Sequence, residues 1–235
     1  DVNITSTTSS SGFGKTFALA DYNGDGRVDL GVGSLNVDRV FIFYNDGAYP
    51  STQANADVRI TGDEGDSDLS TSIVAGDFNG DGKADLVAGA NNYGSADVGK
   101  IYFFYSQNGI LNTNQSTLGE SSNSWFASAL TSGDFNADGR MDFAVGSYGY
   151  NPGGAANTGR AYIFYNDGSI PTTAATADVI ITGEPTRDYS GSSPASGDFN
   201  ADGRTDLVIS AYGNTSNTGK VYFYETRENF AWQLQ

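Results

Sequence analysis

Residues 21 to 30 read DYNGDGRVDL, and the pattern returns as DFNGDGKADL at 77 to 86, DFNADGRMDF at 134 to 143 and DFNADGRTDL at 198 to 207. The starts lie 56, 57 and 64 residues apart. Four returns with Asp, Asn, Asp-Gly and Asp in fixed places identify a repeat protein, with a period somewhat above the ~40 to 50 residues of common propeller blades.

The flanks repeat as well, and they parse each unit into strands. Ahead of each motif lie GKTFALA, LSTSIVAG, FASALTSG and GSSPASG, small residues that suit a crowded strand a near a common axis. DLGVGS, DLVAGA, DFAVGS and DLVISA follow as strand b. RVFIFYNDG, KIYFFYSQNG, RAYIFYNDG and KVYFYETREN alternate aromatic and β-branched residues as strand c, three of them ending in a hairpin-like Asp-Gly or Asn-Gly. DVNIT at 1 to 5, DVRIT at 57 to 61 and DVIIT at 178 to 182 stand 20 residues ahead of their motifs and read as strand d. The expectation is an all-β fold, a β-propeller of four four-stranded antiparallel blades with an acidic loop between the first two strands of each. Radial repetition protects most strand edges. One domain spans 1–235, with repeat units near 1–52, 53–110, 111–172 and 173–235. Two endings stay open: DVNIT pairs with KVYFYET and closes the ring, or FAWQL at 230 to 234 is the fourth d strand and the four blades belong to a longer array.

Composition excludes several chemistries. Twelve Lys and Arg against 28 Asp and Glu give a net charge of −16, which disfavours nucleic acid and anionic membranes and favours cations. The chain has no His and no Cys, so it lacks a His base, a Cys nucleophile, disulfides and thiolate zinc sites. Among 235 residues stand 31 Gly, 14 Tyr and 14 Phe, a balance for short strands and turns rather than helices. The longest apolar runs, VFIFY at 40 to 44 and IYFFY at 101 to 105, are far below the ~20 residues of a membrane helix. The sequence starts at Asp1 with no leader pattern, so any targeting segment is expected to have been removed or to lie outside it.

In DxNxDGxxD, positions 1, 3 and 5 offer side-chain oxygens, position 7 a backbone carbonyl and position 9 a final carboxylate. That is a hard-oxygen set for calcium at ~2.3 to 2.6 Å, with Gly at position 6 for the sharp turn. The EF-hand pattern differs: its last acid falls at position 12. A plain Asp-Gly turn does not need two further acids and an Asn in every copy. The expected role is structural, each ion clamping strands a and b.

These residues give the chain a resemblance to the FG-GAP/VCBS-type repeats of integrin α-subunit propellers and of many secreted microbial proteins. Phe13-Gly14, the four acidic loops, the GVGS, VAGA and AVGS strings and the aromatic c strands carry it. The resemblance implies a secreted or cell-surface protein with about four calcium ions, one per repeat. Transferred position by position, the ligands are Asp21, Asn23, Asp25, the Arg27 carbonyl and Asp29 in the first loop and Asp77, Asn79, Asp81, the Lys83 carbonyl and Asp85 in the second. The third loop supplies Asp134, Asn136, Asp138, the Arg140 carbonyl and Asp142, and the fourth Asp198, Asn200, Asp202, the Arg204 carbonyl and Asp206. Integrin-like propellers have seven blades where this chain has four, and only the first unit keeps a literal Phe-Gly.

Alternating strand direction puts the a–b and c–d loops on one face and the b–c and d–a loops on the other. The second face carries Tyr93, Trp125, Tyr148, Tyr150, Arg187, Tyr189 and Tyr212 among Asn, Ser and Gly, rigid anchors beside adaptable hydrogen-bonders that suit sugars or protein loops. The alternative is that these rings cap blade ends and pack on neighbouring loops. Asp63, Glu64, Asp66, Asp68, Glu120 and Glu184 are the acids from which a glycosidase pair would be drawn; acidic loops of this kind are more commonly solvated, and no catalytic residue is assigned. The functional expectation is a calcium-stabilised binding or adhesion module, with carbohydrate the leading ligand and extracellular protein the next. Self-association stays open. The other class is an accessory or catalytic propeller domain of a larger secreted enzyme degrading polysaccharide or lipid.

Overall fold

A computed structural model describes residues 2–62, 67–107, 110–154, 157–184, 187–213, 218–226 and 232–234. Blade 1 comprises β1 (Phe13–Ala20), β2 (Asp29–Ser34), β3 (Arg39–Phe43) and β4 (Val58–Thr61). Blade 2 comprises β5 (Leu69–Gly76), β6 (Asp85–Ala90), β7 (Lys100–Gln107) and β8 (Ile110–Leu118). Blade 3 comprises β9 (Ala129–Gly133), β10 (Asp142–Ser147), β11 (Arg160–Phe164) and β12 (Val179–Thr182). Blade 4 comprises β13 (Ser190–Gly197), β14 (Asp206–Ala211), β15 (Lys220–Thr226) and β16 (Trp232–Leu234). Each sheet is antiparallel and ordered as in the chain, a four-bladed β-propeller.

The acidic motif fixes the register. Its ninth residue pairs with the last residue of the preceding strand in every blade: Ala20 with Asp29, Gly76 with Asp85, Gly133 with Asp142 and Gly197 with Asp206. The Phe-Gly step keeps its geometry where its letters are lost. Gly14, Ser70, Ala127 and Gly191 occupy the same place with φ of 86°, 80°, 70° and 86°.

The first strands line the centre, β1 packing on β5, β5 on β9 and β9 on β13, with no comparable packing of β13 on β1 among the described residues. The second strands have a sheet on both faces, which is why β6 and β10 are buried along their whole length. Aromatics of the third strands fill the space between blades. At the junction of blades 2 and 3, Phe143 stacks on Phe164 (4.9 Å, 14°) and meets Phe103 edge-on (5.1 Å, 64°), all three without solvent exposure. Burying one such side chain contributes about 1.5–3 kcal/mol.

Of the two endings that the sequence allows, the strand from FAWQL, not DVNIT, is the one found. Trp232–Leu234 pairs with β15 through Tyr224, Glu225 and Thr226, so the last strand of blade 4 comes from the adjoining segment, whose short connection is entropically cheaper to close. The N-terminal run lies instead on the β3–β4 loop of its own blade: the Thr5 amide donates to Ser51 O and the Gln53 amide to Thr5 O, both at 3.0 Å. Asp1, Phe230 and Ala231, which complete those two motifs, lie outside the described residues.

Candidate binding face and acidic loops

Each acidic loop is closed by its own carboxylates. In the first, Asp21 Oδ1 accepts the amides of Gly24 (2.7 Å) and Asp25 (3.0 Å), and Oδ2 accepts that of Gly26 (2.7 Å). Asn23 Oδ1 accepts the Asp25 amide and Asp25 Oδ1 that of Arg27. Asp77 takes the same three partners in its loop, and Asp134 and Asp198 accept the amides of positions 5 and 6 in theirs. The turn needs φ of 84–86° at Gly26, Gly82, Gly139 and Gly203, which a residue without Cβ adopts at no steric cost.

The ninth Asp does something that the motif does not announce. Buried Asp142 accepts the Phe135 amide (2.8 Å) and, 24 residues along the chain, the Asn166 amide (2.7 Å). Asp29, Asp85 and Asp206 make the equivalent pairs with Tyr22 and Asn45, Phe78 and Ser106, and Phe199 and Thr226. This carboxylate therefore pins the loop to the end of strand c. The next blade is tied on as well, since Ser106 Oγ donates to Tyr22 O (2.5 Å) and Asn166 Nδ2 to Phe78 O (2.6 Å).

Burial, with the negative charge of the loop's first two Asp, pushes the Asp85 and Asp142 carboxyls up to about 6; burial likewise raises that of Asp29. Ionising three carboxylates here is unfavourable in a way that a divalent cation relieves, and each carboxylate has lone pairs beyond those its amide donors use. The donor set is therefore of the right kind for calcium. Among the described residues no three acidic side chains converge into a formed metal cage.

On the other face two aromatic stacks stand on equivalent loops. Trp125 stacks on Tyr148 (5.1 Å, 27°) and Tyr189 on Tyr212 (4.9 Å, 11°). Trp125 and Tyr189 occupy the place of Gly12 in blade 1, and all three have left-handed backbone, φ 46°, 53° and 67°. For a bulky residue that conformation is an outlier, of the sort stored at functional sites. The rings lie across Gly149 and Gly213, where any Cβ would come within 2.3 Å of them. Burial, and then the charge of Tyr212, raise the pKa of the Tyr148 hydroxyl above its ordinary value.

The remaining residues of the expected set lie elsewhere. Tyr93 packs edge-on against Tyr102 with the Lys100 ammonium over both rings. Tyr150 lies beneath the Arg160 guanidinium at 3.7 Å. Arg187 is exposed beside Tyr189. Glu120 accepts from Arg160 Nη1 and from the Tyr162 hydroxyl (2.7 Å), and Glu184 from Lys220 Nζ (2.5 Å) and the Tyr222 hydroxyl (3.0 Å). Both acids thus anchor strand c of their blades. Asp63, Glu64 and Asp66 lie outside the described residues. The motif reading missed a cavity of about 700 Å³ between the acidic loops of blades 2 and 3, lined by Asp77, Asn79, Tyr105, Gln115, Arg140 and Asn166. Its walls come from two repeats, so no local signal marks it.

The family model for the FG-GAP repeat matches residues 70–104, 126–164 and 190–224. The chain is an FG-GAP-repeat β-propeller. Integrin alpha-PS2 of Drosophila melanogaster is 30% identical over 166 residues, 68% of this chain and 12% of that protein. Phosphatidylinositol-glycan-specific phospholipase D of Bos taurus is 38% identical over 105 residues, 41% of this chain and 12% of that protein. This FG-GAP propeller thus spans about an eighth of the length of either relative. A solved structure describing specific recognition of non-reducing terminal N-acetylglucosamine by an Agrocybe aegerita lectin superposes with a TM-score of 0.51 at 15% identity, covering 93% of this chain and 51% of that one. That likeness is one of fold. No helix among the described residues is long and apolar enough to cross a membrane.

Proposed function

We propose that this propeller is a calcium-stabilised extracellular binding module that recognises carbohydrate through the aromatic stacks of blades 3 and 4. The observation that carries the reading is the pair Trp125–Tyr148 and Tyr189–Tyr212, four rings on one face, held at a cost in backbone strain, with Tyr212 exposed. Aromatic rings offer flat apolar faces to the C–H side of a sugar, and flanking Asn and Ser serve its hydroxyls. The fold shared with a lectin and the sequence shared with integrin α chains agree with a role in binding.

Calcium enters through the four acidic loops, with the side chains of positions 1, 3, 5 and 9 and the carbonyl of position 7 as its ligands. It would supply positive charge where buried Asp85 and Asp142 are hard to ionise. The test is a broad glycan and polysaccharide array in millimolar calcium and in excess chelator, with Trp125→Ala and Tyr212→Ala beside the parent. Binding to one sugar class, lost in both variants while their thermal midpoints hold, is the expected result. Silence of the folded parent in both conditions would overturn the reading.

One observation favours a second reading, in which the propeller is an accessory domain of a larger secreted hydrolase: the 38% identity with a phospholipase D. Glu120 and Glu184, held by cations and tyrosine hydroxyls, are better placed to position strands than to act as an acid pair. Turnover of polysaccharide or phospholipid by this chain alone would favour a catalytic domain instead.

A further inference from the structure

Three junctions join four blades, and each buries the same positions. The residue on strand c that faces the following blade is Ile42 in blade 1, Phe103 in blade 2 and Ile163 in blade 3, each with no exposure. Its counterpart in blade 4, Phe223, is 46% exposed. The aromatic that opens each acidic loop behaves alike: Tyr22, Phe78 and Phe135 are buried and Phe199 is 50% exposed. At the other end, Phe17 on β1 is 59% exposed, whereas Ile73 and Leu130 in its place on β5 and β9 are 6% and 8% exposed against the preceding blade. At the blade 1 end, Phe41 and Phe43 are already buried against Ile4, Phe13 and Tyr49, so its free surface is the inner part around Phe17, which corresponds to the surface that Phe199 and Phe223 leave open on blade 4.

A size match strengthens this. Gly76 ends β5 where a Cβ would lie 2.8 Å from Met141 Cγ of blade 3, and Gly133 ends β9 where a Cβ would lie 2.5 Å from Thr205 Cγ2 of blade 4. At these two junctions a side chain just ahead of one blade's ninth Asp thus enters a glycine notch of the blade before, whereas Ala20 and Ala84 hold these places between blades 1 and 2. In blade 4 the notch at Gly197 meets only its own Phe199 ring, at 3.5 Å. In blade 1 the entering side chain is Val28, 56% exposed, which matches Thr205 in shape. Asn45 likewise repeats Asn166, whose amide donates to the carbonyl of the preceding blade's loop.

We infer that two copies of this chain associate head to tail, blade 4 of each docking on blade 1 of the other. The contact continues an interface that the molecule already forms three times, with Val28 of one copy in the Gly197 notch of the other. Two such contacts close a ring of eight blades, at the top of the ~4 to 8 typical of propellers. A net charge of −16 on each copy opposes the approach, so association strengthens as salt rises.

The test is the solution mass of the chain by light scattering at low and high salt, for the parent, Phe17→Glu and Phe223→Glu. Both substitutions fall on exposed side chains, and circular dichroism and thermal midpoints establish that each variant is folded. The parent is expected at twice 24.7 kDa and each variant alone at no more than half of that. Mixing the two variants restores a dimer, because one carries an intact blade 4 end and the other an intact blade 1 end. A monomeric parent throughout the series would overturn the inference, as would a dimer that survives either substitution, since that would place the contact elsewhere or make it like-to-like.

Discussion

Replacing Asp142 with alanine isolates the clamp between acidic loop and strand c. The carboxylate is fully buried and accepts two amides, from Phe135 at 2.8 Å and Asn166 at 2.7 Å. Leaving two buried donors unpaired costs about 1–3 kcal/mol each, so about 2–6 kcal/mol together. Removing the acid also removes a charge that burial disfavours, as its pKa near 6 records. The expected loss therefore lies in the lower part of that range, about 2–4 kcal/mol. Asp142→Asn keeps one acceptor and is expected to lose about half as much. The assay is urea unfolding at pH 7 in excess chelator, which removes any share of metal binding, followed by tryptophan fluorescence and circular dichroism. A loss of this size is a large part of the ~5–15 kcal/mol total of a typical domain. Unfolding of Asp142→Ala within about 0.5 kcal/mol of the parent, below the net worth of a typical single hydrogen bond, would refute the clamp.

Other expectations are as direct. Millimolar calcium is expected to raise the unfolding free energy by ~0.4 to 1.4 kcal/mol per loop for sites with Kd of ~10⁻³ to 10⁻⁴ M, and Asp138→Ala to remove one loop's share; identical urea midpoints with and without calcium would sink the metal assignment. Phe143→Ala, at the centre of the blade 2–3 junction, is expected to cost about 3–5 kcal/mol by the same unfolding assay. Ala137 and Ala201 stand at φ 57° and 61° where the first two loops have glycine, so Ala137→Gly is expected to stabilise by up to about 1 kcal/mol and Gly80→Ala to destabilise by a similar amount. Since a Cβ at Gly80 meets nothing within 4 Å, any change there reads backbone strain alone, and an unchanged midpoint in both variants would contradict it.

The acidic loops made the hairpins legible, because a turn with four fixed polar positions sets both its own shape and the register of its strands. The small first strands and aromatic third strands were legible for the same reason: period and residue size report burial directly. The last strand of blade 2 was not, since ILNTNQSTL at Ile110–Leu118 shares nothing with DVRIT and owes its place to pairing with β7. The closing strand of blade 4 was also undecided from the sequence, because two segments had suitable alternation and chain proximity chose between them. The aromatic loops were recognisable as a set, but Trp125 and Tyr189 as occupants of a glycine-like backbone position were not. Nothing local foretells a bulky residue at positive φ; tertiary packing over Gly149 and Gly213 imposes it.

The cross-blade bonds of Ser106 and Asn166 end on carbonyls of the chain itself, at Tyr22 and Phe78. A main-chain acceptor is the same whatever side chain stands there, so the docking rule is written in the backbone of the loop rather than in matched pairs of residues. A unit duplicated in the gene carries both the donor position and the carbonyl, although at the third junction Thr226 donates instead to Thr205 O of its own blade. Growth of the array by simple duplication, and drift of the unit lengths to intervals of 56, 57 and 64 residues, are what such a joint permits.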